Sequence, residues 1–258
     1  MAGKSGAEGG AGIDPIHQFE VQPIIELPTV AGIDTSFTNS SLWMVLAVCL
    51  ASLLMITASR RTAIVPGRMQ LMGEMAYSFV ANMIKENVGT EGMKYFPFIF
   101  SLFMFILFCN MLGMLPYSFT VTSHFIVTFA LAATVFLLIT GVGFARHGIG
   151  FLKLFVPSGI PVVLLPLLVV IEVISYLTRP VSLSVRLFGN MMAGHTMLKI
   201  FGGFVVGLWS AGLVPLAIAP FALMVAFTGL ELLIAGLQAY VFTILTCIYL
   251  NEAIHMDH

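Results

Sequence analysis

Apolar residues in this chain come in long unbroken runs with the polar residues gathered between them, a pattern that predicts membrane-spanning helices. A spanning helix needs about 20 mostly apolar residues to cross roughly 30 Å of hydrocarbon. Three runs of that size cover Leu42 to Ser59, Tyr95 to Pro116 and Thr122 to Phe144. A fourth from Pro161 to Phe201, and a fifth from Pro215 to about Glu252, are each close to twice as long. Arg179-Pro180 is the sole candidate break in the fourth run, so one long, strongly tilted helix is the preferred reading. Gly202, Gly203, Gly207 and Gly212 mark the connection between the last two runs, which then form a helical hairpin. The expected fold class is an all-α polytopic membrane protein with five crossings.

Between the first two crossings the period changes. Met72, Ala76, Phe79 and Met83 share one helical face while Gln70, Glu74, Ser78, Asn82 and Glu86 share another. Pro66 can start this helix and Gly89 can end it. It reads as an amphipathic helix on the cytoplasmic surface, with a hairpin entering the membrane as the other reading.

Composition agrees: 59% of the 258 residues are hydrophobic and 9% charged, too few polar groups to coat a soluble protein. A net charge of -1 without a dense basic run argues against nucleic acid. Cys49, Cys109 and Cys247 lie inside apolar runs, where they read as small core residues. Lys and Arg favour cytoplasmic loops. Here Arg60, Arg61, Arg68, Lys85 and Lys94 follow the first crossing and Arg146 and Lys153 follow the third, while the intervening connections hold none. The chain thus divides into an outside tail (1–41), a first crossing (42–59), a cytoplasmic amphipathic segment (60–94) and a transmembrane hairpin (95–144). A cytoplasmic loop (145–160), the long tilted hairpin (161–252) and a cytoplasmic tail (253–258) complete it. The first residues, Met1 to Gly12, are Gly- and Ala-rich and read as a disordered tail, not a signal peptide.

Charges at bilayer depth cost about 2.5 to 3.5 kcal/mol each on insertion scales, so each one is a candidate functional group. Glu172, Arg179 and Arg186 recur every seven residues along one helix face. Glu172 can neutralise Arg179, but Arg186 has no acid in its own turn. Asn190 lies four residues on, and Ser182, Gly189 and Ala193 line the same strip with small side chains. Small strips in membrane helices mark close approach of another helix. The fifth helix has its own strip, with Gly229 and Gly236 seven apart and Ala235 and Ala239 nearby.

In an antiparallel hairpin, residues at equal depth have nearly constant summed residue numbers. Arg186 with Gln238 sums to 424 and His195 with Glu231 to 426, a mismatch of about 3 Å of rise. His195 and Glu231 are therefore expected to share a polar pocket toward the outer side, with Arg186 and Gln238 deeper. A histidine beside a carboxylate there is a sensible proton relay, or a static ion pair that fixes the hairpin. Asn110 suits either a channel wall or a hydrogen bond between packed helices.

The run Pro180-Val-Ser-Leu-Ser-Val-Arg186-Leu-Phe-Gly-Asn190-Met-Met-Ala-Gly194-His195 resembles the signature of subunit a of the rotary F-type ATP synthase. The likeness extends to Phe-Cys-Asn110-Met-Leu-Gly-Met-Leu-Pro116 and to Glu231 with Leu-Gln238-Ala-Tyr-Val-Phe. It implies a stator that wraps a rotating c-ring, whose subunits each carry an ionisable carboxylate. Arg186 would be the charge separating two offset proton half-channels. By position, Asn190, His195, Glu231, Gln238 and Asn110 would line the outer one, with His124 near it, and Glu172 and Ser182 the cytoplasmic one. Many family members carry the acid at the position of His195 and the histidine at that of Glu231, so the pair here looks exchanged. The resemblance also implies peripheral-stalk b subunits and the remainder of the Fo/F1 complex as partners, in a bacterial cell inner membrane. No cofactor or metal is expected, and without a Walker loop this subunit should bind no nucleotide of its own.

The rival readings are a self-contained secondary transporter and an intramembrane enzyme. The first would show inverted repeats around broken helices, and the second a nucleophile or a metal motif such as H-E-x-x-H. None of these is visible in the sequence.

Overall fold

The computed structural model describes residues 19–25, 36–60, 66–115, 118–156 and 164–255. The tail Met1 to Gly12, Pro116, and the expected start of the fourth run at Pro161 lie outside these residues. Six α-helices are described: α1 Asn39–Ser59, α2 Arg68–Asn87, α3 Phe96–Gly113, α4 Phe125–His147, α5 Leu165–Ser210 and α6 Val214–Ile254. All but α2 lie in segments long and apolar enough to cross a membrane, so the chain is an all-α, multi-pass membrane protein.

A short antiparallel pair, β1 Pro23–Ile25 with β2 Phe37–Thr38, precedes α1. The Asn39 amide ties the two, accepting from Gln22 N at 3.2 Å and donating to the Glu20 carbonyl at 3.1 Å. Thr38 caps α1 by accepting from Ser41 N at 3.3 Å, so the helix starts three residues before Leu42. α1 is peripheral; its most enclosed apolar contact is a small cluster of Ala47 with Cys109 and Leu112 of α3. Cys109 and Cys247 are core residues as expected, but Cys49 is exposed on the outer face of α1.

α2 follows the limits set by Pro66 and Gly89, and Gly89 takes φ +81, a conformation costly for any residue with a Cβ. Its buried face is turned from the expected one. Gly73, Val80, Ala81, Met83 and Ile84 are buried, whereas Met72 and Phe79 are about half exposed. The reason is a close approach: a Cβ on Gly73 would lie 2.5 Å from the Ala58 Cβ of α1, so only this face seats the helix. Packing against α1, α3 and α6 decides the rotation; hydrophobicity, spread over both sides, does not.

The main core is built where α2 through α6 converge, on Val80, Ile99, Ile106, Val135, Leu187, Phe242 and Leu250. After α4 the segment read as a loop instead coils as 3-10 turns over Gly148–Phe155. It folds back so that Phe151 lies 1% exposed against α4, where a Cβ on Gly143 would lie 2.2 Å from its ring.

α5 runs unbroken through Pro180 for 46 residues, and α6 runs 41 residues through Pro220. At 1.5 Å per residue they are about 69 and 62 Å long, so helices lying within roughly 30 Å of hydrocarbon must tilt steeply. The connection is far shorter than expected. Gly202, Gly203 and Gly207 are helical, and Gly212, at φ +75, makes the turn. In lipid a helix satisfies its own backbone groups, so isolated glycines do not end it as they would in water.

Candidate functional site

The α5–α6 hairpin aligns the expected polar residues in depth. The Nε2 of Gln238 donates to the backbone carbonyl of Arg186 at 3.1 Å, so these two meet, but through the main chain and not the guanidinium. Two turns along the hairpin toward its Gly212 end, Nδ1 of His195 lies 3.1 Å from Oε1 of Glu231. Both side chains are enclosed, Glu231 at 3% exposure and His195 at 8%. Neither Glu231 oxygen nor the His195 Nε2 has a hydrogen-bond partner among the described residues. Gly194 makes the pocket fit. A Cβ there would stand 2.7 Å from Glu231 Oε1 and 2.9 Å from its Cδ, so any larger residue displaces the carboxylate.

Asn110, fully buried on α3, anchors α6 from the other side. Its Nδ2 donates to the Ala235 carbonyl at 3.1 Å, one turn from Glu231, and its Oδ1 accepts from the Thr122 hydroxyl at 2.8 Å. Both bonds are of the packing kind, and they leave this amide facing the interior beside the Glu231 turn. Thr122, Thr128 and Ser184 were not singled out by sequence, because single hydroxyls in apolar runs carry no pattern. All three are fully buried, and Thr128 on α4 bonds Ser184 on α5 at 3.1 Å, two residues from Arg186. His124, stacked on Phe119 with centroids 4.8 Å apart, buries its Nε2 without a partner among the described residues.

Arg186 itself points away from this interior. Its side chain is exposed and makes no ion pair or hydrogen bond among the described residues. Ser182, Asn190 and Ala193 are exposed beside it, and a Cβ on Gly189 would meet nothing within 4 Å. The small strip on α6 divides: Ala235 and Ala239 are fully buried, whereas Gly229 and Gly236 face open space. The open glycines and Arg186 thus belong to a face that the rest of the chain leaves uncovered.

Glu172 and Arg179 do not pair. Arg179 is engaged by Glu252 near the end of α6, and its guanidinium carbon lies 5.2 Å from the Tyr176 ring centroid and 4.8 Å from that of Tyr249. Glu172 is partly exposed and has no ion-pair partner among the described residues. No group of three or more metal-ligating side chains forms among the described residues.

Comparison with known proteins follows the same residues. The chain matches the family described as ATP synthase A chain over residues 41–251, which includes all the helices above except the ends of α1 and α6. It belongs to the ATP synthase A chain family. A curated relative named ATP synthase subunit a from Parvibaculum lavamentivorans is 58% identical over 98% of this chain and 99% of its own. Relatives of the same name from Pelagibacter ubique, 57% identical, and Rhodospirillum rubrum, 56% identical, cover 95% and 94% of this chain and 99% and 98% of their own. The A chain family matches the hairpin that carries Arg186, His195 and Glu231 from end to end but for the last three residues of α6.

Proposed function

We infer that this chain is the proton-translocating stator subunit of the Fo membrane sector of an F-type ATP synthase. The observation that carries the reading is Arg186: a permanent cation at mid-helix, unpaired within the described chain, on an open strip of small residues. An uncompensated charge in lipid is costly. A moving partner that brings a carboxylate past it, such as the ring of c subunits, supplies the missing counter-charge. Arg186 keeps that carboxylate ionised as it passes, and a guanidinium has no proton to release, so protons cannot leak past it.

The outer half-channel runs over Glu231, His195, Gln238 and Asn190, with the buried amide of Asn110 behind it. The acid and imidazole of the pocket accept a proton from the outer side and pass it to a ring carboxylate. Glu172 and Ser182 serve the cytoplasmic half-channel, from which the proton leaves after nearly a full turn of the ring. The loop charges support a topology with the N-terminus outside and the C-terminus cytoplasmic, in a bacterial inner membrane. Peripheral-stalk b subunits and the rest of Fo/F1 are the other partners.

The test is Arg186→Ala in the assembled complex. Proton-driven ATP synthesis should vanish while the subunit still copurifies with the ring and the soluble ATPase. Normal synthesis would refute the stator role.

A further inference from the structure

Glu172 and Arg179 stand seven residues apart on one face of α5, and helix side chains lean toward the N-terminus, so an unrestrained Arg179 reaches back toward Glu172. It is restrained instead. Glu252 engages its guanidinium from α6, and the rings of Tyr176 and Tyr249 lie 5.2 and 4.8 Å from its Cζ. Cation–ring contacts of this kind add to the ion pair in holding the guanidinium in place. Tyr176 is fixed in turn, its hydroxyl 2.7 Å from that of Thr140 on α4.

We propose that Glu252 is a positioning residue for the cytoplasmic half of the proton path: it holds Arg179 in the tyrosine cage and so keeps that cation away from Glu172. The proposal rests on the half-channel role given to Glu172 above. Among the described residues, the other charged and titratable groups packed near this end of α5 and α6 are already committed or exposed. Arg146 pairs with Glu91, His147 Nε2 lies 3.2 Å from the Ile254 carbonyl, and His255 Nδ1 lies 2.8 Å from Asn251 Oδ1. Lys153, on the 3-10 segment, is exposed. Arg179 is therefore the cation on Glu172's own helix face whose release would matter. A cation brought beside a carboxylate favours its charged form, and a carboxylate that stays charged cannot take up a proton for transfer.

The experiment is ATP-driven proton pumping by the whole complex in inverted membrane vesicles, read across a range of pH on the cytoplasmic side. In Glu252→Gln the freed Arg179 should move the alkaline limb of the activity profile to lower pH by about one unit. Adding Arg179→Gln to that chain should return the limb to its original place. A role confined to clasping the helices would instead leave the limb unmoved and make the double variant no better than the single. Tyr249→Leu, which opens the cage without removing the pair, should move the limb the same way by less, and it serves if Glu252→Gln fails to assemble. An unmoved limb in the assembled variants, or a double variant that does not recover, overturns the proposal. Glu172→Gln separates the two levels: unchanged pumping and an unchanged limb in that variant would remove the cytoplasmic role of Glu172 itself.

Discussion

His195 on α5 and Glu231 on α6 meet with Nδ1 3.1 Å from Oε1, inside a pocket that leaves Nε2 and both carboxylate oxygens without other partners among the described residues. An acid and an imidazole held this close in an enclosed pocket can hand a proton from one to the other, which is the arrangement a relay needs. Glu231→Gln and His195→Ala should each slow proton-driven ATP synthesis at least about tenfold, corresponding to a barrier raised by about 1.4 kcal/mol. The exchanged chain, His195→Glu with Glu231→His, keeps one acid and one imidazole in the pocket and should recover more activity than either single variant. Equal activity in the exchanged chain and the worse single would count against the relay.

Gly194 should behave as part of that pocket although it carries no chemistry. A methyl group there would stand 2.7 Å from Glu231 Oε1, closer than packed atoms approach, so the carboxylate must turn out of line with His195. Gly194→Ala is therefore expected to lower ATP synthesis about as much as Glu231→Gln, with normal amounts of subunit in the membrane. Synthesis assays beside quantitative immunoblots would check both.

Gly189 makes the opposite prediction. A Cβ there meets nothing of this chain within 4 Å, so bulk at this position should leave the subunit's own fold intact. If the strip around Arg186 faces the ring, Gly189→Leu should still hinder rotation, and more than Gly189→Ala. Synthesis rates measured with the yield and detergent stability of the complex separate the two effects; unimpaired synthesis by Gly189→Leu would mean that the strip faces lipid.

Asn110→Leu should act on stability first. It unpairs the buried Thr122 hydroxyl, at a cost of about 1 to 3 kcal/mol, and removes the second hydrogen bond of the Ala235 carbonyl, which keeps its helical partner. Thermal unfolding in detergent should report the loss, and proton uptake should fall as the Glu231 turn of α6 loses its anchor.

The five long apolar helices, the helical hairpin and the meeting of Arg186 with Gln238 and of His195 with Glu231 were legible in the chain, because transfer into lipid and a rise of about 1.5 Å per residue act on sequence directly. The summed-number rule worked where the two helices run side by side near mid-hairpin. Near their other ends it drifts, since Arg179 and Glu252 sum to 431, and two long side chains bridge the offset. The acid nearest in sequence, Glu172, lost to one on another helix for that reason. The glycines between α5 and α6 misled in the same region, because the rule that glycine ends helices comes from proteins in water.

Sequence by itself determined which residues are too polar for lipid and at what level each would lie. Only the tertiary structure decided which way they face: Arg186 outward on an open strip, Glu231 and His195 inward against Gly194, Arg179 between two tyrosines, and α2 turned onto Gly73. Depth is a one-dimensional property set by transfer energy and rise per residue. Rotation about a helix axis is set by the shapes of neighbouring helices, which are distant in the chain.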